Sequence, residues 1–205
     1  MNTVGNNPDS SSKSRKLGLW SKSRQWFHKL FLEPLLYSKS PPWYDARAVS
    51  LGLVTGFLVP IGGHLITLAL LRTLCRFNYI IAFAFTFVSN PLDMVPLYYG
   101  YYHLGSFVLG KSVTLDYRIF EKIMHPIIDK DYFWEVFPAF MELGHEILTR
   151  WIVAAVVLAM LFGTLGYLIT FKVQKERCKK AADKLGQKYE KYLEELEIKT
   201  SLRKS

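Results

Sequence analysis

The stretch WIVAAVVLAMLFGTLGYLITF, residues 151–171, decides the fold class. Its 21 consecutive residues carry no charge, and at about 1.5 Å per residue such a helix matches a hydrocarbon core of roughly 30 Å. It is read as a transmembrane helix. Ala155, Ala159 and Gly163 recur every four residues on one face, the spacing of small residues that lets a second helix approach closely in lipid, where the ordinary hydrophobic drive is absent. Chance recurrence of small residues is the alternative. Lys172, Lys175, Arg177, Lys179 and Lys180 follow at once, so the positive-inside bias puts residues 172–205 in the cytoplasm and the preceding 112–150 segment outside. Within that tail Cys178, Ala182, Leu185, Tyr189, Tyr192 and Leu196 alternate in steps of four and three, beside the favourable pairs Glu176/Lys180 and Glu195/Lys199. This predicts a charged helix with a narrow seam. Gly186 and the small seam residues argue against a long coiled coil, leaving a helix that lies on the membrane or on its own protein.

Upstream, residues 48–71 are apolar apart from His64 and the interface-ward end, with Pro60, Gly62 and Gly63 in the middle. A proline and two glycines exclude one straight helix. A second apolar stretch, residues 79–109, is interrupted by Ser89-Asn90-Pro91-Leu92-Asp93 and then by Pro96. Both segments therefore follow one plan of half-helix, break, half-helix. Irregular backbone survives at membrane depth only where protein or a water-filled cavity surrounds it, because an unsatisfied amide in lipid costs several kcal/mol. The two breaks are expected to meet inside the fold, and paired interruptions are the sequence pointer to a transporter-like binding site.

Composition agrees with a membrane protein. Half of the 205 residues are hydrophobic and they fall in blocks, which favours bilayer over globule. The net charge of +9 resolves into +5 in residues 1–47, +1 in 48–110, −2 in 111–150 and +5 in 172–205. Basic clusters at both ends of apolar spans read as cytoplasmic anchors facing anionic lipid headgroups, and nucleic acid is not expected as a partner. The two cysteines, Cys75 and Cys178, each sit just past an apolar block and indicate no disulfide framework. Residues 1–16 are too polar to order, no signal peptide follows, and Leu19 to Leu32 interleaves aromatics with Lys and Arg as an interfacial helix that Pro34 should end. The expected layout is a basic tail with an amphipathic helix at 1–43, a broken-helix membrane region at 44–111, an extramembrane linker at 112–150, the span at 151–171 and a cytoplasmic helical tail at 172–205. The fold class is all-α and polytopic, with both termini cytoplasmic.

From Tyr44 to Lys111 the chain resembles a bacterial membrane family of unknown function, DUF2062. The resemblance is carried by Arg47-Ala48, the Gly52-to-Gly63 stretch with Pro60-Ile61-Gly62, the triplet Arg76-Phe77-Asn78, and Asn90-Pro91 followed by Pro96, Tyr98 and Gly105. It implies a bacterial inner-membrane protein with basic tails and a last transmembrane helix near the C-terminus, and no established activity. Some relatives look fused to glycosyltransferase domains, which hints at lipid-linked sugar chemistry nearby. A departure is Asp93, where the family pattern usually has a small polar residue, so a role for it would be peculiar to this chain.

The candidate ligand-binding residues are His64, Asn90, Asp93, Arg72 and Arg76. Asp93 facing lipid would cost about 2.5–3.5 kcal/mol on insertion scales, so it should face protein, water or an interface. Asn90 as a cap, Pro91 at the first helical position and Asp93 near the exposed amides give a structural reading, and a proton or cation site is the functional one. His64 is read first as a neutral hydrogen-bonded side chain. Arg72 and Arg76, four apart, share a helical face that can meet lipid phosphate, or simply snorkel to the interface. Tyr98, Tyr99, Tyr101, Tyr102 and His103 read as an aromatic belt at a membrane boundary. Glu142-Leu143-Gly144-His145 contains half of a carboxylate metal motif without its second copy, and no phosphate loop or nucleophile elbow occurs. No metal, cofactor or catalytic residue is assigned. Three functions stand: binding or moving a lipid or lipid-linked carrier, a scaffold recruiting a membrane protein partner or a second copy, and, least, a lipid-modifying enzyme.

Overall fold

One helix ends just before Pro60 and Gly63 leads into the next, and the chain folds around that interruption. The computed structural model describes residues 33–60, 63–88, 94–128, 138, 141 and 143–202. The readings for Leu19–Leu32, Gly62, Asn90, Pro91 and Asp93 lie outside them. The chain divides into two units, Met1–Ser38 and Lys39–Ser205. Of the first, only the single turn α1, Glu33–Leu36, is described. Pro34 is its second residue, and the helix that it was expected to end lies outside the described residues.

The second unit contains α2 (Pro42–Leu58), α3 (His64–Leu74), α4 (Tyr79–Thr86), α5 (Met94–Val108), α6 (Tyr117–Ile128), α7 (His145–Lys184) and α8 (Tyr189–Leu202). The described residues contain no strand. Helix α2 starts on Pro42 and ends where Val59 turns extended, at φ −100° and ψ 130°, ahead of Pro60. It is the axis of the unit. Against α4 it presents glycines: a Cβ on Gly52 would fall 2.3 Å from the Ala82 carbonyl oxygen, and one on Gly56 2.9 Å from that of Thr86. The rising pairs show that α2 and α4 run parallel.

Against α7 the contacts run the other way. Gly166 faces Val49 and Leu53, and Gly163 faces Ser50 and Val54. Phe57 stacks on Phe162 at 5.3 Å, and Gln174 Nε2 donates to Asp45 Oδ2 at 3.0 Å. The two helices are antiparallel, with Ala155, Ala159 and Gly163 all buried.

Helix α7 has 40 residues, about 60 Å at the standard rise. Among the described residues it is the one helix long and apolar enough to cross a membrane. Its outer face exposes Ile152, Met160, Leu161, Leu168 and Ile169. The helix runs on past residue 171 without a break. Lys172 to Lys184 changes polarity but contains no helix breaker, and Lys, Gln, Glu, Arg and Ala all favour helix. The helix stops at Gly186, whose φ of +66° is left-handed and costs glycine nothing. Its N–H bonds the Asp183 carbonyl at 3.1 Å and that of Gln187 bonds Ala182 at 3.0 Å, a glycine C-cap. Helix α8 then returns along α7, burying Cys178, Ala182 and Leu196. Trp43 Nε1 donates to Glu197 Oε1 at 3.0 Å, so the start of α2, the end of α7 and α8 share one end of the unit. Glu176 pairs with Lys179 at 2.9 Å, one residue earlier than expected on the same helical face.

The opposite end is aromatic. Tyr98, Tyr101 and Tyr102 of α5, Phe120 of α6 and Trp151 of α7 are buried together, with Tyr98 4.8 Å from Trp151. These tyrosines are therefore core and not a belt facing headgroups, because α5 crosses α7 too closely to leave their rings outside. At that crossing a Cβ on Gly105 would lie 1.9 Å from the Arg150 carbonyl oxygen.

Candidate functional site at the first helix break

A helix that stops at a proline leaves carbonyls without intrahelical partners. Here each has one. The Tyr101 hydroxyl donates to the Phe57 carbonyl at 3.2 Å, and His64 Nε2 lies 2.9 Å from the Val59 carbonyl, which it reaches as a donor in the Nε2-protonated tautomer. The Gly63 N–H bonds the Pro60 carbonyl at 3.1 Å, and Thr67 N–H bonds Gly63 at 3.0 Å. His64 is thus occupied in closing the break.

Beside this sealed backbone lies a cavity of about 240 Å³, lined by Phe57, Pro60, Tyr98, Tyr101, Trp151 and Ala155 among others. Its walls are overwhelmingly apolar. Three different elements build it, the end of α2, the first half of α5 and the first turns of α7. Helix α4 also ends close by, since a Cβ on Gly56 would meet Val88 at 2.7 Å. Pro96 sits in the first turn of α5, downstream of the second interruption and not part of it, at a position where its missing N–H breaks no helical bond.

Arg72 and Arg76 are elsewhere. Both are exposed at the turn from α3 into α4, with the Arg72 guanidinium 5.7 Å over the Tyr79 ring. Asn78 of the same turn donates from Nδ2 to Asp45 Oδ1 at 3.4 Å, which puts the turn toward the start of α2. The length of α2 separates this end from the cavity, roughly 25 Å. His64 and the two arginines are therefore at different places in the unit.

Two buried charges were not singled out from the sequence. Asp45 is fully buried and ties α2 to α4 through Asn78 and to α7 through Gln174. Gln174 in turn accepts from Arg177 Nη1 at 2.9 Å. Burial, reinforced by the Asp45 carboxylate, pushes the neighbouring Cys178 thiol up. The signal for Asp45 was its isolation, as the only acidic residue between Glu33 and Asp93. Arg150, 2% exposed, donates from Nη1 to Ser106 Oγ at 2.7 Å and to the Ser112 carbonyl at 3.0 Å. Its Nη2 bonds Glu146 and its plane lies 4.7 Å over Tyr102. Glu146 is used in that pair.

The family model described as an uncharacterized protein conserved in bacteria, DUF2062, matches residues 24–183. No curated protein and no solved structure matches the chain. The match reaches well past the Tyr44–Lys111 resemblance and takes in α6 and nearly all of α7, so the long helix is part of the same conserved unit as the break. Covering more than half of the sequence, it shows that the chain belongs to the DUF2062 family.

Proposed function

We propose that this is a multi-pass inner-membrane protein that binds a lipid or lipid-linked carrier, without catalysis, through a hydrocarbon segment held at the first helix break. The observation that carries the reading is the apolar cavity of about 240 Å³ beside Pro60. A cavity of about 150 Å³ lined by apolar side chains takes a benzene-sized guest, whereas whole small-molecule sites run to roughly 300–1,000 Å³. The space suits part of a chain and not a complete lipid. Internal partners for the Phe57, Val59 and Pro60 carbonyls support the same reading, because they let irregular backbone sit at bilayer depth beside an apolar guest. The scaffold alternative has less to draw on, since α8 already covers the seam residues Cys178 and Ala182.

Ala155 lines the cavity and is nearly buried. Ala155→Phe should fill it and reduce co-purifying lipid in native mass spectrometry by about tenfold, with the melting temperature in detergent held within a few degrees. Unchanged lipid occupancy in a folded Ala155→Phe protein would refute the site.

A further inference from the structure

The end of the unit opposite the break holds three adjoining hollows that all include Thr200 of α8. One, of about 320 Å³, is lined by Trp43, Arg76 and Ser201; a second, of about 230 Å³, by Ser40, Arg72 and Asn78; a third, of about 330 Å³, by Lys39 and Lys199. Four cationic side chains thus surround one threonine. Among the described residues none of the four forms an ion pair. The one carboxylate lining these hollows, Glu197, accepts from Trp43 Nε1.

We propose that these hollows form one phosphate-binding groove, built jointly by the α3–α4 turn and the returning helix α8, for a phosphate ester carried on an amphiphilic or a soluble molecule. Cations drawn together without carboxylates repel one another unless an anion joins them. The planar guanidinium fork matches phosphate oxygens two at a time, and two such forks with two ammonium groups exceed what a single carboxylate would need. Leu70, Leu74 and Ile80, exposed by 63%, 79% and 69%, lie on the two helices joined by the turn that carries Arg76, Arg72 being on the first of them, so an apolar tail would have a surface to follow. The groove lies a full length of α2 from the break cavity. It therefore stands or falls independently of the function proposed above.

The test uses the full chain in detergent with two kinds of probe. Native mass spectrometry compares retention of phosphatidylglycerol with phosphatidylcholine, and thermal shift titrates inorganic phosphate and glycerol 3-phosphate. The double variant Arg72→Gln/Arg76→Gln is set against Lys188→Gln/Lys191→Gln, which lowers charge equally at the far end of α8. Preferential phosphatidylglycerol retention that falls about tenfold only in the arginine pair supports the groove with a lipid headgroup as its source. Stabilisation by the soluble phosphates, lost only in the arginine pair, supports it with a soluble source. Lys199→Gln, on a different element, should weaken the same binding and guards against misfolding of the double variant. Equal loss in both double variants, or no loss in any, overturns the proposal.

Discussion

Gly105 and Gly100 are both inside α5, five residues apart, and should respond oppositely to alanine. At Gly105 the new Cβ would sit 1.9 Å from the Arg150 carbonyl oxygen and 2.5 Å from its carbon. Backbone cannot rotate out of the way, so α5 and α7 must separate, and the guanidinium contacts to Ser106 and Ser112 are lost with the crossing. Gly105→Ala should destabilise by roughly 1–3 kcal/mol or more, read as a lower melting temperature in detergent. Gly100 has nothing within 4 Å, and Gly100→Ala should stabilise by roughly 0.5–1 kcal/mol by restricting the unfolded chain. The cysteines differ in the same local sense. Cys75 is exposed and Cys178 buried, and burial with the Asp45 carboxylate raises the Cys178 pKa. Maleimide should modify Cys75 first and reach Cys178 only on unfolding. Because the unfolded thiol ionises earlier, the Cys178 contribution to stability is complete below about pH 8.5 and is lost as pH rises through the folded value. Single residues were where sequence reading reached least. Arg150 was not singled out, and nothing in one dimension shows that a serine 44 positions earlier and a tyrosine face wait to enclose it.

At the scale of elements the sequence carried more. Proline and glycine punctuation located the first interruption, and 21 uncharged residues located the apolar part of α7, because both effects are local to the chain. The helix's continuation to Lys184 was hidden by a change of polarity that is not a change of backbone preference. The tight faces of α2 were hidden too, since nothing in the chain shows that α4 lies on Gly52 and Gly56. That difference predicts an order of severity. At Gly52 an alanine Cβ meets a carbonyl oxygen at 2.3 Å, whereas at Gly163 it meets only the methyl end of Val54 at 2.7 Å. Gly52→Ala should therefore lower the melting temperature well beyond Gly163→Ala, whose neighbour can turn aside. Equal effects would mean that α2 and α4 are not in backbone contact.

For the whole molecule the sequence poses a conflict: two basic ends both want the cytoplasm, but three apolar blocks suggest an odd number of crossings. The start of α2 and the far part of α7 meet at Asp45 and Gln174, which places Arg47 and the Lys172–Lys184 cluster toward one end of the same unit. Helix α2, with 17 residues, reaches about 25 Å, and α3 and α4, with 11 and 8, reach about 16 and 12 Å. We propose that α2 crosses outward and α7 crosses back, while α3 and α4 form a hairpin that leaves the break end and returns to it, which keeps the crossings even. Sequence could count apolar residues but not show that two short helices run alongside a third. In a Cys75→Ser background, Lys122→Cys on α6 should react with an impermeant maleimide in intact cells, whereas Lys188→Cys, between α7 and α8, should react only after the membrane is opened. The positive-inside bias demands that pairing, because moving the basic tail outward would oppose the charge distribution at both ends together. Labelling of both positions from the same side would leave α7 uncrossed and remove the membrane depth on which the cavity at Pro60 depends.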